Sequence, residues 1–176
     1  MATTILSRKR DLAYMIHFSI SLPLMFLMDL QAIYPPAIVP GFMKALEGWY
    51  IENYHDQFFV TKPAFFQAFI ASEILYQAPA MVIALRLLYT DSPKGPLVLL
   101  PYSMLIFATT ATCMFEYSFW DIPLQQKIDL TTLYGPYLAI SAFMFGDMSI
   151  RLNNVINAAT TKLSSQSLSR LSRKDQ

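Results

Sequence analysis

Cysteine is almost missing: Cys113 is the only one in 176 residues. That excludes an intramolecular disulfide and any cysteine-based zinc site. Charge is scarce as well, with Asp, Glu, Lys and Arg together at 14% against about a quarter in an ordinary soluble domain. With 55% hydrophobic residues and a mean hydropathy of +0.38, the deficit points to a membrane protein. A net charge of +1 gives no electrostatic basis for nucleic-acid binding. There is no Asn-x-Ser/Thr sequon and no repeat at a solenoid period. Nothing implies a cofactor or a metal.

What is present is a set of four apolar stretches, near residues 11–33, 65–89, 97–119 and 130–150. Each is long enough to cross a hydrocarbon core of ~30 Å as a helix. They predict an all-α membrane protein, a four-transmembrane-helix bundle over residues 1–150, followed by a tail at 151–176. The first stretch follows Arg8-Lys9-Arg10 and looks at first like a signal peptide. Its apolar part is too long and no small-x-small site closes it, so it reads as a retained span. With both termini on one side, ten of the 13 basic residues fall there, leaving Lys44, Lys62 and Lys127 opposite. The positive-inside rule then puts both termini in the cytoplasm.

Each span carries one proline, Pro23, Pro79, Pro101 or Pro136. Proline-kinked helices around an internal cavity follow, with Met25, Phe26, Phe66, Phe69, Ile106 and Phe107 as expected lining. PPAIVPG ends the first helix. Beyond it, Phe42, Leu46, Trp49, Tyr50 and Tyr54 share one helical face, which suggests a lumenal amphipathic cap on the bilayer surface. The acidic residues of that segment, Glu47, Glu52 and Asp56, are mostly explained by one solvated face. The tail is Ser-rich and basic, and reads as a frayed helix running into disorder. Its last residues, RKDQ, are like the dibasic retrieval signals of endoplasmic-reticulum proteins, although chance explains two basic residues equally well.

Ionisable groups inside a membrane span cost at least ~2.5 kcal/mol near its centre and so mark candidate sites. Here they are His17, Asp29, Glu73, Glu116 and Asp147. Asp147 has Arg151 at i+4 and reads as half of an ion pair. His17 reads as a hydrogen-bonded structural histidine. Asp29, Glu73 and Glu116 remain, converging on the lumenal half of the bundle with no base among them. Gln77 lies one turn from Glu73, Thr112, Thr109 and Tyr102 run along the Glu116 face, and Tyr134, Tyr137 and Ser141 line up on span four. Interhelical hydrogen bonding explains the hydroxyls but not three acids without bases. An acidic pocket in an aromatic bundle suits an amine cation, or positive charge developing on a hydrocarbon skeleton. A shared proton could hold the carboxylates in place or be given to a substrate.

The ordered series FLMDLQA (26–32), WYIENYHD (49–56), KPAFFQAFIASEILYQAP (62–79), MFEYSF (114–119) and YGPY (134–137) resembles the sigma-2 receptor family. That family belongs to the EXPERA, or emopamil-binding-protein-related, group, and the likeness covers roughly residues 10–150. It implies a four-helix protein of the endoplasmic-reticulum membrane, with the nuclear envelope or endosome and lysosome as further locations. It also implies a homodimer, sterols or lipophilic amines as ligands, membrane lipid around them, and a Niemann–Pick type C-like cholesterol transporter as partner. Carried over by position, Asp29 pairs with a ligand amine and Asp56 hydrogen-bonds to Asp29. Glu73, Gln77, Thr110 and Tyr137 line the pocket, beside Met25 and Glu116 from the reading above. The alternative is a sterol Δ8–Δ7 isomerase with Glu73 or Asp29 as proton donor, but neither His17 nor His55 falls beside Glu73. WDIPLQQKID is short for the family and the tail is longer, which puts partners of those surfaces in question.

Overall fold

The computed structural model describes residues 4–35 and 37–174. All its long elements are helices: α1 (Lys9–Leu27), α2 (Gly41–Tyr54), α3 (Gln57–Thr61), α4 (Ala64–Ser72), α5 (Ala78–Tyr89), α6 (Gly95–Ser118) and α7 (Leu124–Lys174). A 3-10 turn, Asp29–Ala32, prolongs α1, and a π turn, Glu73–Gln77, fuses α4 to α5. Among the described residues three stretches are long and apolar enough to cross a membrane: Lys9–Ala32, Ala64–Tyr89 and Gly95–Ser118. The first turns of α7 are diluted by Thr131, Thr132, Tyr134 and Tyr137, and α7 does not reach the same apolarity. It nevertheless packs more extensively on α6 than any other two elements pack together. This is an all-α membrane protein.

The prolines act locally. Pro23, Pro101 and Pro136 lie inside α1, α6 and α7 without ending them. Pro79 sits just after the π turn, where the Ala78 N–H reaches back to the Glu73 carbonyl. Proline at 79 supplies no N–H to the preceding turn and crowds its carbonyls, so a widened turn relieves the strain. The span therefore loosens at Glu73.

Between α1 and α4 the chain folds back over the end of the bundle. Pro40 caps α2 in extended conformation, and His55 ends it with φ 54°, in the left-handed region. The inward face of α2 is Met43, Leu46, Tyr50 and Tyr54, held by the Gln31 side chain donating to the Met43 carbonyl at 3.0 Å. Phe42, expected on that face, is 64% exposed instead, because one residue turns a helix position by about 100°. The tail differs from expectation too: α7 stays helical through Lys174. Neither Gly nor Pro interrupts it after Gly146, and Ser149, Thr160, Thr161, Ser164 and Ser165 each bond the carbonyl four residues back. At 1.5 Å per residue α7 is about 76 Å long, far more than one crossing needs. Asp175 and Gln176 of the RKDQ motif lie outside the described residues.

At the opposite end an ionic network fastens α1 to α7. Asp11 accepts from Arg8 at 2.6 Å and from Arg151 at 2.6 Å. Asp147 accepts from Arg10 at 2.9 Å, from Arg151 at 2.8 Å and from the Tyr14 hydroxyl at 3.1 Å. The i+4 pair of Asp147 and Arg151 is thus one edge of a larger network. Asp11, at the very start of the first span, escaped the sequence reading. Both carboxylates are buried, so removing one partner leaves a charge uncompensated at a cost of about 3–5 kcal/mol. Asp11→Ala should lower the unfolding temperature in detergent by several degrees, measured by thermal shift, while Glu52→Gln on the exposed cap face leaves it unchanged.

Candidate ligand cavity

Under the cap lies a cavity of about 420 Å³, within the range of sites for drug-sized molecules. α1 contributes Ser21, Met25 and, just past its end, Asp29. The second span contributes Phe66, Phe69, Glu73 and Gln77, α6 contributes Tyr102, Ile106, Thr109, Thr110 and Cys113, and α7 contributes Tyr134 and Tyr137. The cap closes it with Leu46, Trp49, Tyr50 and Tyr54. Of the expected site residues, Met25, Asp29, Glu73, Gln77, Thr110 and Tyr137 come together here.

Others do not. Glu116 and Thr112 are exposed on α6 and absent from the lining, because Tyr102, Ile106, Thr109, Cys113 and Tyr117 form the inward stripe. Phe26 and Phe107 are exposed, at 45% and 43%, each one position past an inward residue. The Ser141 hydroxyl is spent on the Leu138 carbonyl at 2.9 Å. His17 is structural: its Nδ1 lies 3.3 Å from Ser21 Oγ and its ring meets Phe18 and Tyr137.

The carboxylate behind the cavity wall is Asp56, bonded to Tyr50 and Tyr134, whereas Glu116 is exposed. Asp56 is 0% exposed rather than part of a solvated face. It accepts from Tyr50 Oη at 2.8 Å, from Tyr134 Oη at 2.9 Å and from the Phe58 N–H at 2.9 Å. No direct hydrogen bond joins it to Asp29, contrary to the family expectation; the two tyrosines of the cavity wall both donate to its Oδ2, and the Phe58 N–H donates to its Oδ1. Burial pushes the Asp56 carboxyl above the usual carboxylate range, while its three hydrogen bonds pull it back. The Tyr50 hydroxyl is raised by burial and by the carboxylate it serves. An aromatic cluster, with Phe58 stacked on Phe66 at 5.2 Å and packed on Trp120 at 4.6 Å, packs beside Asp56.

Asp29 sits where the α-helix tightens into the 3-10 turn and interacts electrostatically with both Asp56 and Glu73. Glu73 Oε2 is buried and has no protein partner. The Gln77 amide, one turn on, donates instead to Ser72 Oγ at 3.0 Å. Among the described residues no Lys or Arg lines the cavity. Acidic groups, aromatic faces and no base make a place for a bulky apolar cation. Cys113 and Tyr50 were missed by sequence reasoning; only the α6 periodicity counted from Tyr102 would have found the first. Removing the Asp56 acceptor strands two hydroxyls and one N–H, so Asp56→Ala should lower the unfolding temperature more than Tyr50→Phe does. Tyr50→Phe deletes one charge-assisted bond, worth about 1.5–3 kcal/mol.

Comparison with known proteins follows the same outline. Residues 42–148 match the EBP family, described as EXPERA, the EXPanded EBP superfamily. Sigma intracellular receptor 2 of Macaca fascicularis is 27% identical over 140 residues, covering 71% of this chain and 78% of that protein. The Homo sapiens protein of the same name is 26% identical over 140 residues, with the same shares of 71% and 78%. Efficient mitochondria targeting-associated protein 19 of Schizosaccharomyces pombe is 30% identical over 127 residues, covering 70% of this chain and 66% of that protein. The matched segment holds the cap, Asp56, the π turn with Glu73, and the α6–α7 wall; the chain belongs to the EXPERA family.

Proposed function

We propose that this protein is an endoplasmic-reticulum membrane receptor for sterols and cationic amphiphiles, with the ligand's amine paired to Asp29. The observation that carries this reading is a base-free, aromatic-walled cavity with Asp29 at one side and Glu73 in the loosened turn at another. The ring system of a sterol or drug lies against Met25, Phe66, Phe69 and Ile106, and its cation faces Asp29. Asp56 keeps Tyr50 and Tyr134 aimed and so shapes the site without touching the ligand. The name of the relatives, sigma intracellular receptor, favours a receptor role. Both termini face the cytoplasm and the cap the lumen, in line with the basic-residue asymmetry. In this reading the protein acts as a homodimer in sterol homeostasis, alongside a Niemann–Pick type C-like cholesterol transporter.

A second reading is favoured by one atom: Glu73 Oε2, buried at the cavity wall without a partner. A proton there, delivered to a sterol double bond, would make an isomerase with Asp29 stabilising the carbocation and a wall group removing a proton elsewhere. Sterol incubated with the protein in deuterated water discriminates. Deuterium in the product, lost in Glu73→Gln, establishes the isomerase; none leaves the receptor.

For the receptor, Asp29→Asn should weaken a radiolabelled lipophilic amine by tenfold or more in purified protein. Unchanged affinity would remove the ion pair from the account.

A further inference from the structure

A second cavity, of about 270 Å³, lies at the end of the bundle away from the cap. Its floor is apolar: Leu88, Leu99 and Met148 are at most 4% exposed. Its wall carries Arg8, Asp11, Asp91 and Arg151. Two guanidinium groups and two carboxylates balance, so the wall is strongly polar yet carries no net charge. This is the reverse of the acidic cavity.

The groups are arranged unevenly. Asp11 is buried between Arg8 and Arg151, 2.6 Å from each. Asp91 stands at the rim, its side chain 53% exposed, 3.2 Å from Arg8. Arg8 donates through Nη1 to both carboxylates and through Nη2 to the Tyr89 carbonyl, while its Nε is left without a partner. α1 begins, α5 ends and α6 begins around this cavity, so it lies at the level where the spans leave the hydrocarbon.

We propose that this cavity is a headgroup site for a zwitterionic phosphodiester, with the phosphate against Arg8 and Arg151 and the ammonium against Asp91. A bare anion would meet two carboxylates there, and a bare amine two guanidinium groups; only a ligand carrying both charges finds each opposed. The apolar floor takes the glyceryl and first acyl carbons. The same chemistry exists in soluble glycerophosphocholine and in membrane phosphatidylcholine or phosphatidylethanolamine. The floor's continuity with the span core, through Leu99 and Met148, favours the membrane lipid.

Native mass spectrometry of the full chain, released from vesicles of defined composition, tests this. Phosphatidylcholine or phosphatidylethanolamine should be retained at one molecule per chain, at least tenfold over phosphatidylglycerol. Val155 lines this cavity at an exposed position, so Val155→Trp fills the cavity mouth and leaves every ion pair in place; it should abolish that retention without altering lipophilic-amine binding. Equal retention of phosphatidylglycerol, or full retention in Val155→Trp, would overturn the site. Displacement by glycerophosphocholine at concentrations comparable with the lipid would overturn the assignment of a membrane source.

Discussion

One buried carboxylate organises the capped end of the molecule. Asp56 gathers a hydroxyl from α2, a backbone N–H from the start of α3 and a hydroxyl from α7, joining the two helices that flank it in the chain to a third that is 78 residues away. A buried charge is tolerated only when its oxygens are filled, and filling them fixes Tyr50 and Tyr134 in the cavity wall. The cap is therefore positioned by the same contacts that shape the cavity. Asp29, one layer inside, does not share those bonds and remains facing the space they enclose.

The two ends of the bundle treat charge in opposite ways. In the cavity under the cap, Asp29 and Glu73 stand with no Lys or Arg in the lining, and the span that carries Glu73 gives up regular geometry just before Pro79. At the other end every buried acid is shared between arginines, and Asp11 and Asp147 bind α1 to α7 through Arg151. A paired network of this kind holds helices in register, which leaves the cavity under the cap as the place where acids face no base. Within a low-dielectric span such imbalance attracts an outside cation.

Much of this was legible in the chain, and the misses have physical causes. Three of the four expected spans, the break at PPAIVPG and the inward placement of Asp29, Glu73, Gln77 and Tyr137 follow from hydropathy, proline and helical spacing. Spacing failed on α6, where two stripes about 60° apart both held hydroxyls. Counting back from Glu116 chose Thr112, whereas packing turned Cys113 and Tyr117 inward. Composition also misjudged the tail, since a Ser-rich basic run with no Gly or Pro continues a helix already nucleated by the bundle. Asp56 was marked through the family motif alone; polarity placed it on a solvated face. Long-range closure by Tyr134, 78 residues away, has no local signature.

In the proposed receptor, uncompensated acid rather than shape selects the ligand. The most direct measurement compares the affinity of a rigid lipophilic amine with that of its neutral carbon isostere on the unaltered protein. An aromatic cavity with an ion pair at Asp29 requires the amine to bind at least tenfold more tightly, or about 1.4 kcal/mol. Equal affinities for the two would contradict it, leaving a cavity that reads only hydrophobic outline.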